Sequence, residues 1–289
     1  MQGAEEEARQ PRLILVPTPI GNLGDITLRA VEVLRDAGRI VAEDTRRTRK
    51  LLSHLGLDAR RLQRLDANAS EHDLERVVGW MVAGEVVALV TDAGTPSVSD
   101  PGSALVRRAV EAGIEVTSLP GPSAVTVAVA SSGLVDGPFS FLGFAPRGLA
   151  ELTNLVETLG RRAEPCVLFE SPNRLGKTLE ALADAMPDRQ VVIARELTKL
   201  HEELVRGTVR EVASMGREWV GEITVVLGPW DDGPKGEVTD EQVDARIDED
   251  LAAGVHTRTV AGKVAAWSGR SRRDVYVRVV ERMEMLRRR

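Results

Sequence analysis

Short apolar runs rich in β-branched residues recur along the first half of this chain, and segments with helical signals separate them. Leu13-Ile14-Leu15-Val16, Ile40-Val41-Ala42, Val86 to Val90 and Glu115 to Leu119 read as strands. Between them, Thr27 caps a predicted helix to Ala37, Thr48 to Leu55 is helical, Ser70 caps a helix to Ala83, Pro101 opens one to Ala112, and Ser123 caps the next. Parallel strands need crossovers of about this length, so the spacing predicts a parallel sheet with helices on both faces.

After Gly133 the pattern changes. Phe139 to Phe144, Val167 to Phe169, Gln190 to Ala194 and Glu222 to Leu227 are predicted strands, with helices over Leu149 to Leu159 and Arg174 to Met186, which together read as a second α/β or α+β domain. Further helices are expected over Thr239 to Ala253, Thr257 to Trp267 and Ser271 to Leu286. The predicted organisation is a disordered polar tail over 1–11, an N-terminal α/β domain over 12–122, a C-terminal α/β domain over 123–230, and an acidic linker with a basic helical extension over 231–289. With 289 residues, 43% of them hydrophobic, the chain has enough apolar material for two cores.

Several function classes drop out early. The longest apolar stretches, such as Ala124 to Ala130, fall far short of the roughly 20 residues a membrane span needs, and Glu5-Glu6-Glu7 is not a cationic leader. A soluble cytoplasmic protein with no membrane partner is expected. The single cysteine, Cys166, sits in an apolar run and reads as inert core. His54, His72, His201 and His256 lack zinc-ligand spacings, so no metal is predicted. The net charge of -6 argues against a globally basic nucleic-acid binder, yet Arg46-Arg47-Thr48-Arg49-Lys50 and the arginine-rich last twenty residues are local basic patches.

Three turns that follow predicted strands carry the functional signal: Pro17-Thr18-Pro19-Ile20-Gly21-Asn22, Asp92-Ala93-Gly94-Thr95-Pro96 and Pro120-Gly121-Pro122-Ser123-Ala124. Proline stiffens such a loop and glycine lets the backbone approach a ligand, and open α/β sheets bind ligands at the carboxyl ends of their strands. A Rossmann G-x-G-x-x-G is absent. Ser171 to Thr178 resembles a phosphate loop without its first glycine, but Ser171-Pro172 starts a helix that would bury Gly176-Lys177-Thr178 in its own hydrogen bonding.

The wording of these turns is similar to the ribosomal RNA small subunit methyltransferase I family of the tetrapyrrole-methylase superfamily. The resemblance runs in order through Leu15 to Leu23, Ala42-Glu43-Asp44-Thr45-Arg46, Val90 to Pro96, Asp100-Pro101-Gly102 and Leu119 to Ala124. It continues through Phe169-Glu170-Ser171-Pro172, Ala194 to Lys199, Arg206-Gly207-Thr208 and Gly221-Glu222-Ile223-Thr224, and so covers Leu13 to Gly228. It implies a two-domain α/β fold with a cofactor cleft between the domains and a C-terminal helical extension. The implied activity is S-adenosylmethionine-dependent methylation of a cytidine ribose 2′-hydroxyl in the decoding region of 16S ribosomal RNA, by a homodimer acting on the small subunit.

Carried over by position, the implied cofactor contacts are Pro19, Gly21, Asp92, Gly94, Thr95, Ser123, Ala124, Phe169, Ile223 and Thr224. Taken alone, Asp92 reads first as a turn-stabilising residue, and it is the surrounding resemblance that turns the reading towards a cofactor contact. Charged groups at two strand ends are the catalytic candidates: Glu43, Asp44, Glu196 or Lys199 for the hydroxyl proton, and Arg46 or Arg195 for a phosphate. Structural Arg–carboxylate pairs are the alternative for the same residues. RNA contacts are expected at Arg47, Arg49, Lys50, Arg195, Arg270, Arg272 and Arg273. The chain departs from the family where histidine is usual, in Leu65 to Glu71 and at Asn173. Two rival readings are a small-molecule methyltransferase acting on a tetrapyrrole and a non-catalytic RNA-binding protein of the same fold.

Overall fold

The computed structural model describes residues 12–66, 69–98, 102–230, 239–268 and 270–287. The predicted tail, most of the predicted linker, Pro101, Asn68 and Gly269 lie outside them. The described residues of Met1–Val156 and Glu164–Pro229 form one compact unit, and those of Glu157–Ala163 and Trp230–Arg289 a second.

In the first unit β1 (Arg12–Val16), α1 (Leu28–Asp36), β2 (Arg39–Ala42), α2 (Thr45–His54), β3 (Leu62–Arg64), α3 (Glu71–Val82), β4 (Val86–Val90), α4 (Gly102–Glu111) and β5 (Glu115–Ser118) build a parallel sheet of order β3-β2-β4-β1-β5. Strand side chains alternate between faces. Leu13, Leu15, Val41, Val87 and Leu89 therefore pack with Leu74, Val77 and Met81 of α3 and Leu105 of α4, whereas Ile14, Val16, Ile40, Ala88 and Val90 pack with Ala30 and Leu34 of α1 and Leu52 of α2. Each fully buried Leu or Ile contributes about 1.5–3 kcal/mol, and a slip of one residue would exchange the two faces, so this pattern pins the register.

Helix starts follow local chemistry. Thr27 accepts from the Ala30 N–H, and Ser70 and Asp73 cap each other's backbone in a reciprocal box. α2 begins at Thr45, earlier than predicted, because the Asp44 side chain accepts from the Arg46 N–H; a first turn without apolar residues hid that start in the sequence.

The second sheet comprises β6 (Ser140–Phe144), β7 (Cys166–Glu170), β8 (Gln190–Arg195), β9 (Glu203–Thr208) and β10 (Ile223–Leu227) in the order β6-β7-β10-β8-β9, with only β6 and β7 parallel. One face is covered by α5 (Ala124–Ser132), whose Val125 and Ala128 pack with Val167, Val192, Ala194 and Val226. α6 (Leu149–Gly160), α7 (Pro172–Ala185) and α8 (Val209–Ser214) complete the helices, and α7 buries a stripe of Leu175, Leu179 and Leu182. β3, β9 and α8 have no counterpart in the sequence reading. Each is short or lies at a sheet edge, where half-exposed positions weaken the apolar pattern.

The second unit contains α9 (Asp240–Ala252), α10 (Thr257–Ser268) and α11 (Arg272–Arg287) around Val243, Ile247, Val260, Val264, Val275 and Val279. No helix among the described residues is long and apolar enough to cross a membrane.

Candidate active site

The carboxyl ends of β1, β2, β4 and β5 open onto a cavity of about 520 Å³. Its first wall holds Ile20, Glu43, Arg47, Thr91 to Thr95, Val98, Ser123 and Ala124 from the loops after those strands. The facing wall comes from the second sheet: Phe144, Phe169 to Pro172, Ala194, Leu197 and Gly221 to Thr224. That size suits a cofactor-sized ligand.

Backbone contacts lock the loops together. Thr18 and Gly94 exchange N–H···O bonds of 2.9 Å in both directions, Thr18 Oγ1 donates to the Thr91 carbonyl at 3.1 Å, and Thr95 Oγ1 donates to the Pro122 carbonyl at 3.1 Å. Gly94 stands at φ +83°, a left-handed conformation that favours glycine. Gly21 meets the second sheet: a Cβ there would lie 2.4 Å from Lys199 Cγ and 2.9 Å from the Leu197 carbonyl, and the next residue's N–H donates to Thr198 Oγ1 at 3.1 Å. The first turn therefore contributes fit between the lobes. Gly21 does not line the cavity, and Pro19 lines a smaller neighbouring one.

The other residues implied as cofactor contacts, Asp92, Gly94, Thr95, Ser123, Ala124, Phe169, Ile223 and Thr224, come together on the large cavity. Ser123 occupies the N-cap position of α5 but its hydroxyl makes no cap bond, so it is available to a ligand beside the helix-start N–H groups. Asp92 accepts from the Asp44 N–H at 3.0 Å and faces Arg47 Nε at 3.6 Å. Phe169 stacks against Phe141 and Phe144, with ring centroids 5.0 and 5.2 Å away. An acidic rim, an unengaged hydroxyl and an apolar aromatic wall form a donor set that fits a nucleoside-containing, positively charged methyl donor.

Charged candidates separate sharply. Glu43 lines the cavity, whereas Asp44, Arg46, Glu196 and Lys199 do not. Asp44 caps α2 and is gripped by Arg46, whose side-chain hydrogen bonds hold the carboxyl at about 2. Lys199 Nζ donates to Glu196 at 2.8 Å and to Glu222 at 3.1 Å; burial alone would lower its pKa, but the two carboxylates outweigh burial and raise it. Lys199 stays an ammonium. Glu196 in turn accepts from the Glu222 N–H at 2.9 Å, which braces the start of β10 where Ile223 and Thr224 line the cavity. Glu196 and Thr198 hold φ of 51° and 66°, strained values for non-glycine residues and common near functional sites.

Of the residues expected at RNA, Arg47 lines the cavity, and Arg49 and Lys50 are exposed along α2. Arg195 pairs with Glu203 at 3.0 Å, and the same carboxylate is clasped by Arg217, 2.8 Å away, which holds it at about 2. In the second unit Arg270 pairs with Asp240 at 2.6 Å, while Arg272 and Arg273 are exposed at the start of α11. The sequence reading gave no role to Glu170. It is buried on the cavity wall, paired with Arg174 Nη2 at 2.6 Å and accepting from Thr178 Oγ1 at 2.7 Å. Glu170 ends β7, and Arg174 and Thr178 follow it at four-residue steps on α7, which is the signal that the sequence offers.

The family model for Tetrapyrrole (Corrin/Porphyrin) Methylases matches residues 12–213. The ribosomal RNA small subunit methyltransferase I of Neisseria meningitidis serogroup B is 39% identical over 280 residues, covering 96% of this chain and 95% of that protein. The protein of the same name from Thermotoga maritima is 45% identical over 218 residues, covering 75% and 97%. In fold, the chain resembles uroporphyrin-III C-methyl transferase from Thermus thermophilus complexed with S-adenyl homocysteine, with a TM-score of 0.53, 19% identity and coverage of 75% and 97%. With strands, turns and cavity walls arranged as described, and with this identity along nearly its whole length, the chain belongs to the ribosomal RNA small subunit methyltransferase I family of the tetrapyrrole methylases.

Proposed function

We propose that the protein uses S-adenosylmethionine to methylate the ribose 2′-hydroxyl of a cytidine in the decoding region of 16S ribosomal RNA. The carrying observation is the large cavity, whose two walls bring together eight of the ten implied cofactor contacts in a chain of this family. When bound there, the donor supplies an already activated sulfonium methyl group. The protein's own tasks are then alignment, exclusion of water and removal of one proton.

Asp92, Ser123 and the backbone around Gly94 hold the donor's polar groups, and Phe169, Ile223 and Leu197 cover its apolar surface. Glu43, the charged catalytic candidate on the cavity wall, would accept the 2′-hydroxyl proton, while the donor, on losing its C–S bond to the transferred methyl group, would leave as the neutral thioether S-adenosylhomocysteine. Asp44 and Arg46 fix the start of α2, and Glu196 with Lys199 fixes the start of β10. In this reading Arg49 and Arg195 of the first unit contact RNA, and so do Arg270, Arg272 and Arg273 of the second. The acting species in this reading is a cytoplasmic homodimer.

Transfer of tritiated methyl groups from S-adenosylmethionine to purified 30S subunits tests the reading, with nucleoside mass spectrometry to place the label. A 2′-O-methylated cytidine in 16S RNA supports it. Label on a base, label accepted only by a porphyrinoid, or RNA binding without any transfer would each replace it with another function.

A further inference from the structure

A second cavity, of about 130 Å³, adjoins the large one and shares Arg47, Thr91 and Asp92 with it. That volume is a quarter of the large cavity's and is of the scale that a small polyatomic anion such as phosphate occupies. Pro19 and Leu23 form its apolar side, and its charged groups are Arg47, Lys50 and Asp92.

The charges favour an anion. Lys50 makes no ion pair with any described residue, and its neighbours Arg46, Arg47 and Arg49 are likewise exposed on α2. Asp92 brings a negative charge to the rim, but one oxygen takes the Asp44 N–H and the other faces Arg47 at 3.6 Å. That separation is longer than a hydrogen bond, so the guanidinium keeps donors for a second acceptor.

Resting on the proposed function, we infer that this smaller cavity binds the backbone phosphate beside the acceptor ribose, gripped by Lys50 and Arg47. A ribose lies only a few bonds from its phosphates. A phosphate held here puts the 2′-hydroxyl at the shared Arg47–Asp92 partition, facing the large cavity and Glu43. Arg47 thus serves both chambers: it steadies Asp92 on the donor side and contacts phosphate on the acceptor side.

Methyl-transfer kinetics on 30S subunits with Lys50→Gln and Lys50→Glu test this, with Lys177→Gln, an exposed lysine on α7 that lines neither cavity, as the control. One lost charge-assisted contact predicts a KM for 30S raised about tenfold in Lys50→Gln and more in Lys50→Glu, with kcat within about twofold. Calorimetric affinity for S-adenosylmethionine stays unchanged, and the slope of log KM against log salt falls by about 0.7–0.9. A KM equal to that of Lys177→Gln, an unchanged salt slope, or weakened donor binding overturns the assignment while leaving the proposed function standing. No RNA label from the wild-type protein overturns both.

Discussion

Thr18 and Gly94 bond to each other through both backbone groups, N–H to carbonyl at 2.9 Å in each direction, and so tie the turn after β1 to the turn after β4. The link depends on Gly94 at φ +83°. A methyl group there would find ordinary room, 3.5 Å from Ile20 Cγ2 and 3.7 Å from the Pro122 carbonyl. Gly94→Ala is therefore expected to cost about 1–2 kcal/mol from backbone strain alone, lowering Tm by about 2–8 °C. Calorimetry should also show weaker donor binding, because the strained turn lines the cavity.

Asp92→Ala removes the acceptor for the Asp44 N–H together with the proposed donor contact. Donor affinity should fall about 10- to 100-fold, the range of a hydrogen bond to a charged group. Asp92→Asn, which keeps an acceptor for the backbone, should fold as the wild type does and lose affinity to a smaller extent. Titration calorimetry on both variants decides; unchanged binding in Asp92→Ala would remove that carboxylate from the donor site.

Glu43→Gln should lower kcat about 10²–10⁴-fold while leaving donor affinity within a few-fold. Single-turnover transfer at saturating donor separates this from a binding defect. Full activity in the variant would show that the proton leaves by another route.

Lys199→Met should reduce kcat/KM without moving the ionisation seen in the kcat–pH profile, since its ammonium is stabilised by Glu196 and Glu222 and is not a base near neutrality. Lys199→Arg, which keeps the charge and its two partners, should restore part of the loss. If Lys199 itself takes the proton, the methionine variant instead loses the basic group from the profile and arginine fails to rescue.

Glu203 lies between Arg195 and Arg217, and its folded-state value of about 2 is below the ordinary 4.5. Its contribution to stability is complete above pH 4.5 and declines as the pH falls from there towards 2, because the unfolded chain takes up the proton first. Urea midpoints measured across that window should fall less steeply for Glu203→Gln than for the wild type. Equal slopes would mean that the pair of arginines gives this carboxylate no special stabilisation.

The strand–helix alternation of the first half was legible residue by residue, because strands buried on both faces read as continuous apolar runs, as in Leu13 to Val16 and Val86 to Val90. Caps at Thr27 and Ser70 were equally legible, since capping is chemistry between residues three apart. β9 and α8 were not. Their residues are half exposed or few, and pairing with β8 rather than local pattern makes Glu203–Thr208 a strand.

Amino-acid order alone determined the alternating framework, the stiff turns at strand ends and the residue types available for a ligand, all of which depend on neighbours close in the chain. Tertiary structure decided which charges reach the cavity. Glu43 and Asp44 are adjacent, yet one lines the cavity and the other is bound to Arg46; Lys199 meets Glu222, and Arg195 and Arg217 share Glu203. Sheet order brings those partners together across 23, 8 and 14 positions, and Coulomb attraction and desolvation act over ångströms of space rather than steps along the chain.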